Sequence, residues 1–432
     1  DDAGSALFTY DARGRIVTST RTFAAADGPI TLTAGQVYDA QDRILRDIFP
    51  DGSTLEHDYS PRGVERPLEH FIERADYDAL ARWRELELPS GVTLHRDLDH
   101  SGRVLGQRVT AGSRTLLDLA HRYDIAGQLV ETDDDLAAEG FSLSQSFHYD
   151  DLRRLVGHTA AGKTQTWRYS DDGNLLAHAG RTLGYDDERP HAAVTLDRQA
   201  LEYNAAGQLA EVSGDGPLPA GAWRFDPHGR VQSFTAADGR RVEHVHGYTG
   251  ERAIRREYDA AGQLAREVLY FTRNLEIRDG KLVRWVYFAG ERIAESPVPL
   301  PAGGFPELPA EALAVATPPL DPRHLLALLL LASVALALRV LAVRPHRLIA
   351  AAALALTSTT AALSCHHTPD RTLTPDEHTR FHVADRLGSA ALVLDHRGNV
   401  LTRDAADPYG ASRLAWRADD STAAPTYRFT GK

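Results

Sequence analysis

The chain has 432 residues, enough for two or three ordinary domains or for one large repetitive architecture. Its 48 Lys+Arg and 60 Asp+Glu give a net charge of -12. The two signs are interleaved, which excludes a surface built to track nucleic-acid phosphates or an anionic membrane. A single cysteine, Cys365, excludes an intrachain disulfide and a cysteine-based zinc site. There is no methionine, position 1 included, which predicts that the chain is a piece of a longer polypeptide.

Self-similarity dominates residues 8–295. The first clear copy is Tyr10-Asp11-Ala12-Arg13-Gly14-Arg15-Ile16: an aromatic, a small polar residue, a short gap, glycine, a polar residue and an aliphatic one. Degenerate copies begin at Tyr38 and Tyr59. Residues 75–88 lack the turn glycine and are rich in helix formers, so a short helix is an alternative to a hairpin there. A further degenerate copy begins at Leu98, and the template returns in full at Tyr123-Asp124 with Gly127 and Leu129. Beyond a copy at Tyr149, Tyr169 pairs with Gly173 and Tyr203 with Gly207. A copy at Tyr185 falls between these two, Phe225 pairs with Gly229, and the series reaches Tyr258-Asp259 with Gly262.

In each copy the Asp or Asn caps turn amides, and the glycine four residues after the aromatic supplies a positive φ, so the chain reverses. The aromatic before the turn and the aliphatic after it then face each other across a hairpin mouth. Segments between turns alternate polar and apolar, as in 164–169 and 282–287, the period of half-buried strands. One continuous, spiralling antiparallel sheet is the expected architecture.

Gly157-His158-Thr159-Ala160-Ala161-Gly162-Lys163-Thr164 satisfies the phosphate-loop pattern letter for letter. A nucleotide loop needs a helix immediately after it, whereas an alternating strand follows here, so a hairpin turn at Ala161-Gly162 is expected. His244 and His246 share a strand face, and Cys365-His366-His367 cluster, but neither group has further ligands at metal-site spacing. No nucleophile elbow, HExxH helix or dinucleotide glycine pattern is present. Catalytic, metal-binding and cofactor-binding residues are therefore all unassigned, no cofactor is expected, and the chain is expected not to be an enzyme.

A Pro- and Ala-rich linker occupies 296–322, and an apolar segment occupies 323–365. Its first run, 325–343, is nineteen residues with the single charge Arg339, a helix of roughly 28 Å. After Arg344-Pro345-His346-Arg347 a second run covers 348–363. Because repeat-like sequence flanks both ends, two antiparallel helices are expected. They either cross a membrane through 325–363 or pack inside the sheet. A polar linker, 366–380, precedes the last segment, 381–432.

These repeats resemble the YD repeats of bacterial Rhs proteins, of the shell-forming subunits of insecticidal toxin complexes and of animal teneurins. The last segment carries the more specific likeness. Phe381-His382-Val383-Ala384-Asp385-Arg386-Leu387-Gly388-Ser389 resembles the Rhs core signature, and Asp407-Pro408-Tyr409-Gly410 its Pro-Phe-Gly element. The resemblance implies a mainly β fold, a spiralling antiparallel YD-repeat hairpin shell, here with the apolar helical hairpin inserted. It marks His382, Asp385, Leu387, Gly388, Ser389, Pro408 and Gly410 as the core motif. It further implies a structural shell around the protein's own C-terminal toxin, beyond Lys432, with an immunity or delivery protein as further partner and a secreted or cell-surface location. The Asp-Pro-x-Gly-Leu stretch at which many relatives cleave themselves would lie beyond Lys432, and Asp407-Pro408 is not that stretch. A second reading, a surface adhesin or carbohydrate binder, rests on exposed Trp and Tyr stacking on sugars.

Overall fold

In the computed structural model of the chain the described residues are 2–136, 142–301, 304–305, 308, 372–385, 390–406 and 412–418. Among them the regular structure is all strand, from β1 (Gly4–Tyr10) to β31 (Ser412–Arg417). Alternation explains why. In β10 (Arg114–Tyr123) Leu117, Leu119 and His121 are buried while Ala120 and Arg122 between and beyond them are exposed, the period of a strand with one covered face. Where both faces are covered the strand is mostly apolar, as in β26 (Lys281–Phe288), with Leu282, Val283, Trp285, Val286 and Phe288 all buried and Arg284 buried among them.

Consecutive strands pair antiparallel throughout each sheet, and the one neighbour relation between strands distant in the chain is that of the last strand with the first of the second sheet. The series from β1 to β5 (Thr54–Glu56) makes a five-stranded sheet, and the series from β6 (Arg74–Tyr77) to β31 makes a second sheet that closes into a barrel. At the hairpin mouths the register slips by one residue: Thr9 faces Thr18, but Tyr10 faces Ile16. The same slip puts Tyr123 opposite Leu129 and Tyr258 opposite Leu264. The extra residue is accommodated by a bulge, with Gly14 at φ 79° and Gly127 at φ 83°.

The helix offered as an alternative over 75–88 does not form, and the segment is a hairpin, β6 with β7 (Trp83–Glu87). Helix-forming composition is overridden because Asp78 caps a repeat turn and Ala81 takes the glycine position at φ 62°. Asp42 and Arg153 hold the same position in two other copies, at φ 66° and 62°.

The core lies where the first hairpins fold against the later strands. Phe23 sits 6.3 Å from Phe271, Phe71 is 6.3 Å from Phe381, and Tyr77 is 6.4 Å from Phe288. Polar clamps cross the same seam. Arg96 gives two hydrogen bonds to Glu291 and stacks over Trp83, and Gln107 donates to the Ala384 carbonyl. Between these regions the wall is thin. β15 (Leu175–His178), β16 (Arg181–Gly184), β20 (Gly221–Phe225), β21 (Val231–Ala236) and β22 (Arg241–His246) contain no fully buried residue.

β27 (Glu291–Pro299) extends past the linker boundary expected at 295. Its Pro297 and Pro299 are tolerated because β28 (Arg380–Ala384) pairs with Ala294 and Glu295, and among the described residues no ladder continues along that edge beside the prolines. The apolar hairpin expected over 325–363 lies outside the described residues. Among the described residues no helix is long and apolar enough to cross a membrane.

Candidate functional site

The recurring structural unit is a turn and a latch. Asp11 Oδ1 accepts the amides of Arg13 at 2.8 Å and Arg15 at 3.0 Å, while its Oδ2 takes the Arg15 Nε at 2.6 Å. Asp39 with Arg43, Asp78 with Arg82, Asp99 with Arg103, Asp150 with Arg154 and Asp226 with Arg230 repeat the set. At Asp124, Asn204 and Asp259 a glutamine replaces the arginine and the two amide bonds remain. Gly173, Gly207 and Gly262 close their turns at φ 93°, 78° and 79°. The Arg15 amide, then its guanidinium, holds the Asp11 carboxyl below the usual carboxylate range. At Asp39 partial burial acts upward, but the Arg43 and Gln41 donors outweigh it and the pKa is again lowered.

The latch joins one copy to the next. Tyr38 donates its hydroxyl to the Ile16 carbonyl, Tyr123 to Val104, Tyr149 to Leu129, Tyr169 to Leu155 and Tyr203 to Ala193, at 2.8–3.0 Å. Except at Tyr203, the acceptor is the aliphatic residue that leaves the preceding turn. The turn arginine then stacks on the next tyrosine: Arg15 over Tyr38, Arg103 over Tyr123 and Arg154 over Tyr169, at 4.8, 5.0 and 4.5 Å. This double role of the arginine was missed in the sequence, although its recurrence directly after the turn glycine was a visible signal. Tyr149→Phe keeps the ring and deletes one latch. It should cost about 1 kcal/mol in urea unfolding, whereas an equal change at exposed Tyr248 should cost little.

Of the core-motif residues, His382 lies on β28 with its ring 5.7 Å from that of Trp285, and burial pushes its basicity down. Asp385 follows the end of that strand. Leu387, Gly388, Ser389, Pro408 and Gly410 lie outside the described residues. The phosphate-loop match is a tight turn, with Ala161 at φ 49° and Gly162 at φ 72° joining β13 (Leu155–Ala160) to β14 (Lys163–Tyr169). His244 and His246 border a polar groove with His228, and burial with Arg252 and Arg255 pushes His244 down to about 4. Among the described residues no three such side chains are placed to hold a metal ion.

A cavity of about 420 Å³ lies between the first sheet and the hairpin tips at 272–275 and 287–290. At its wall His57 bridges Asp47 at 3.1 Å and Glu65 at 2.9 Å, and Glu65 also accepts the Ala289 amide at 2.8 Å. The first sheet is thereby tied to the turn between β26 and β27. Burial opposes the charge on His57, but hydrogen bonds and charge from Asp47 and Glu65 outweigh it and raise the pKa from 6.5 to about 9. A raised value means this stabilisation is complete below pH 6.5 and is lost as pH climbs through 9. Thermal unfolding across that window should show a loss of up to about 3 kcal/mol, and His57→Gln should flatten it.

No family model and no curated protein matches the chain. Solved structures do match, and they define the fold as that of a long chain-ordered sheet of antiparallel hairpins. The crystal structures of TcdB2-TccC3 and of TcdB2-TccC3-Cdc42 superpose with TM-scores of 0.70 and 0.69, each at 15% identity, over 100% of this chain and 22% and 21% of theirs. The Tc holotoxin pore of Photorhabdus luminescens, carrying a TccC3 mutation, gives 0.68 at 14% identity, over 100% of this chain and 21% of that one. The chain thus spans about a fifth of their length, and the likeness is one of fold.

Proposed function

We propose that this chain is a section of the wall of an encapsulating shell, non-catalytic in itself, that encloses a toxin carried by the same polypeptide. The observation that carries this reading is the wall: a closed sheet, one layer thick along β15, β16 and β20 to β22, with successive turns latched by tyrosine hydroxyls. Such a sheet buries little on its own in those strands, so its stability comes from neighbour-to-neighbour bonds and it can curve around contents. The fold likeness to TcdB2-TccC3 and to a Tc holotoxin pore supports a toxin-associated setting and a secreted protein. The residue-level likeness of 381–389 to the Rhs core points to the polymorphic-toxin branch, with an immunity or delivery protein as further partner. The sugar-binding alternative rests on exposed Trp and Tyr: Trp83, Trp167 and Trp285 are buried at 6%, 4% and 2% exposure, while Tyr10 and Tyr248 are exposed at 58% and 66%.

The test is protease challenge of the complete polypeptide purified from producing cells. The segment following the core should survive intact and become degradable once the wall is opened by denaturant. Digestion of that segment at the rate of its isolated form would overturn the proposal.

A further inference from the structure

The cavity of about 420 Å³ beside the first sheet owes its space to two small side chains. β2 (Ile16–Phe23) and β3 (Ile30–Tyr38) pair with Arg21 opposite Leu32 and Phe23 opposite Ile30. There the gap to the later strands is filled, Phe23 meeting Phe271 and Arg21 donating to the Tyr270 carbonyl. One step along the same face the pair is Ser19 opposite Ala34, and the cavity opens above it. Gln36, Asp47, His57 and Glu65 line it from the first sheet and the loop after it, and Asn274 lines it from the facing hairpin tip. Two aromatic walls are held by their hydroxyls, Tyr59 on the Ile44 carbonyl at 3.0 Å and Tyr287 on the Arg273 carbonyl at 3.2 Å. Arg43 and Arg273 each stack on one of these rings. Thr272, Arg273 and Gly290 of the lining are exposed, so the cavity has a mouth.

The charges of this lining cancel, Asp47 and Glu65 against Arg273 and a His57 that is protonated at neutral pH. An ionic ligand would bring a charge with no counterpart, whereas an uncharged one leaves the His57 bridge intact. Hydrogen-bonding capacity remains on both walls. Among the described residues the Ser19 hydroxyl and the Asn274 Nδ2 have no partner, and Asn274 Oδ1 accepts the Thr272 hydroxyl at 2.6 Å. The Asp47 and Glu65 carboxylate oxygens accept one bond each and keep further lone pairs. The volume lies within the range of small-molecule pockets, roughly 300–1,000 Å³. Acceptors, donors and aromatic walls around a neutral space suit a ring with hydroxyls on its edge and C–H groups on its faces. We infer that this cavity is a binding site for one uncharged, hexose-sized sugar, which gives hydroxyl hydrogens to Asp47 and Glu65 and accepts from Asn274 and Ser19. The inference rests on the cavity and stands whether or not the wall encloses a toxin.

The experiment titrates the full chain with glucose, galactose, mannose and N-acetylglucosamine, read by saturation-transfer magnetic resonance, with glucuronate and protonated glucosamine as charged counterparts. At least one neutral sugar should bind saturably and more tightly than either charged one. The methyl glycoside of that sugar is the next probe: retained binding marks the end of a glycan as the ligand and lost binding a free sugar, and both support the inference. Ser19→Leu puts a side chain into the empty space, so it should keep or raise the thermal midpoint while weakening binding at least tenfold. Asn274→Ala removes a donor from the opposite wall and should weaken binding about fivefold, the worth of one hydrogen bond. It carries the test alone if Ser19→Leu does not fold. Absence of saturable binding by all four neutral sugars would overturn the inference. So would tighter binding of a charged counterpart, or binding that is unchanged in both folded variants.

Discussion

Phe381→Ala is expected to lower the unfolding free energy by about 3–5 kcal/mol, the range for emptying a well-packed aromatic site. Phe381 is 2% exposed on β28, and its ring meets Phe71, itself 0% exposed, at 6.3 Å. One partner belongs to the loop before β6 and the other to the strands that return after the apolar segment, so the pair sits on the seam where the sheet meets itself. Denaturant titration should show a lower midpoint with an unchanged slope, because the seam loses packing without changing the surface that unfolding exposes. Phe71→Ala combined with Phe381→Ala should cost less than the two alone added together, since both empty one shared site. Strict additivity would mean that the two rings do not form a common core.

Asp51→Ala should be comparably damaging, about 3 kcal/mol, for an electrostatic reason. Arg284 is 6% exposed on β26 and gives its guanidinium to Asp51 at 2.6 Å, Ser53 at 3.0 Å and Ser296 at 2.9 Å. Burial already pulls its pKa down, with Asp51 and Asp376 acting in the opposite direction. Removing Asp51 leaves the buried charge with neutral hydrogen-bond partners and the Asp376 charge alone to offset it. Replacing both residues, Asp51→Leu with Arg284→Met, should recover most of the loss, because no ion then remains to be desolvated. Calorimetry of the single and double variants separates this from a simple loss of packing, which the double variant would not repair.

The turn chemistry was legible in the sequence because it is local: an Asp side chain reaching the amides two and four residues on, and a glycine able to take positive φ, leave a mark within seven letters. Strand type was legible for the same reason, through alternation. The hairpin at 74–87 was not, because Ala81 occupies a backbone position usually marked by glycine, and a composition rich in Ala, Leu, Arg and Glu then reads as helix. Closure was not legible at all. The Gln107 to Ala384 bond and the Arg96 to Glu291 pair join residues whose spacing along the chain carries no periodic signal. The His57 bridge likewise depends on a loop residue, Glu65, whose position follows only once the first sheet is folded against the turn at Ala289.

The central claim is that latched hairpins make a closed wall around an interior. Electron cryomicroscopy of the complete polypeptide tests this most directly. The account predicts a hollow particle whose wall contains this chain as consecutive antiparallel hairpins, one sheet thick at residues 175–246, with weaker density for enclosed polypeptide inside. An extended or solid particle, with both faces of those strands open to solvent and no enclosed volume, would contradict it.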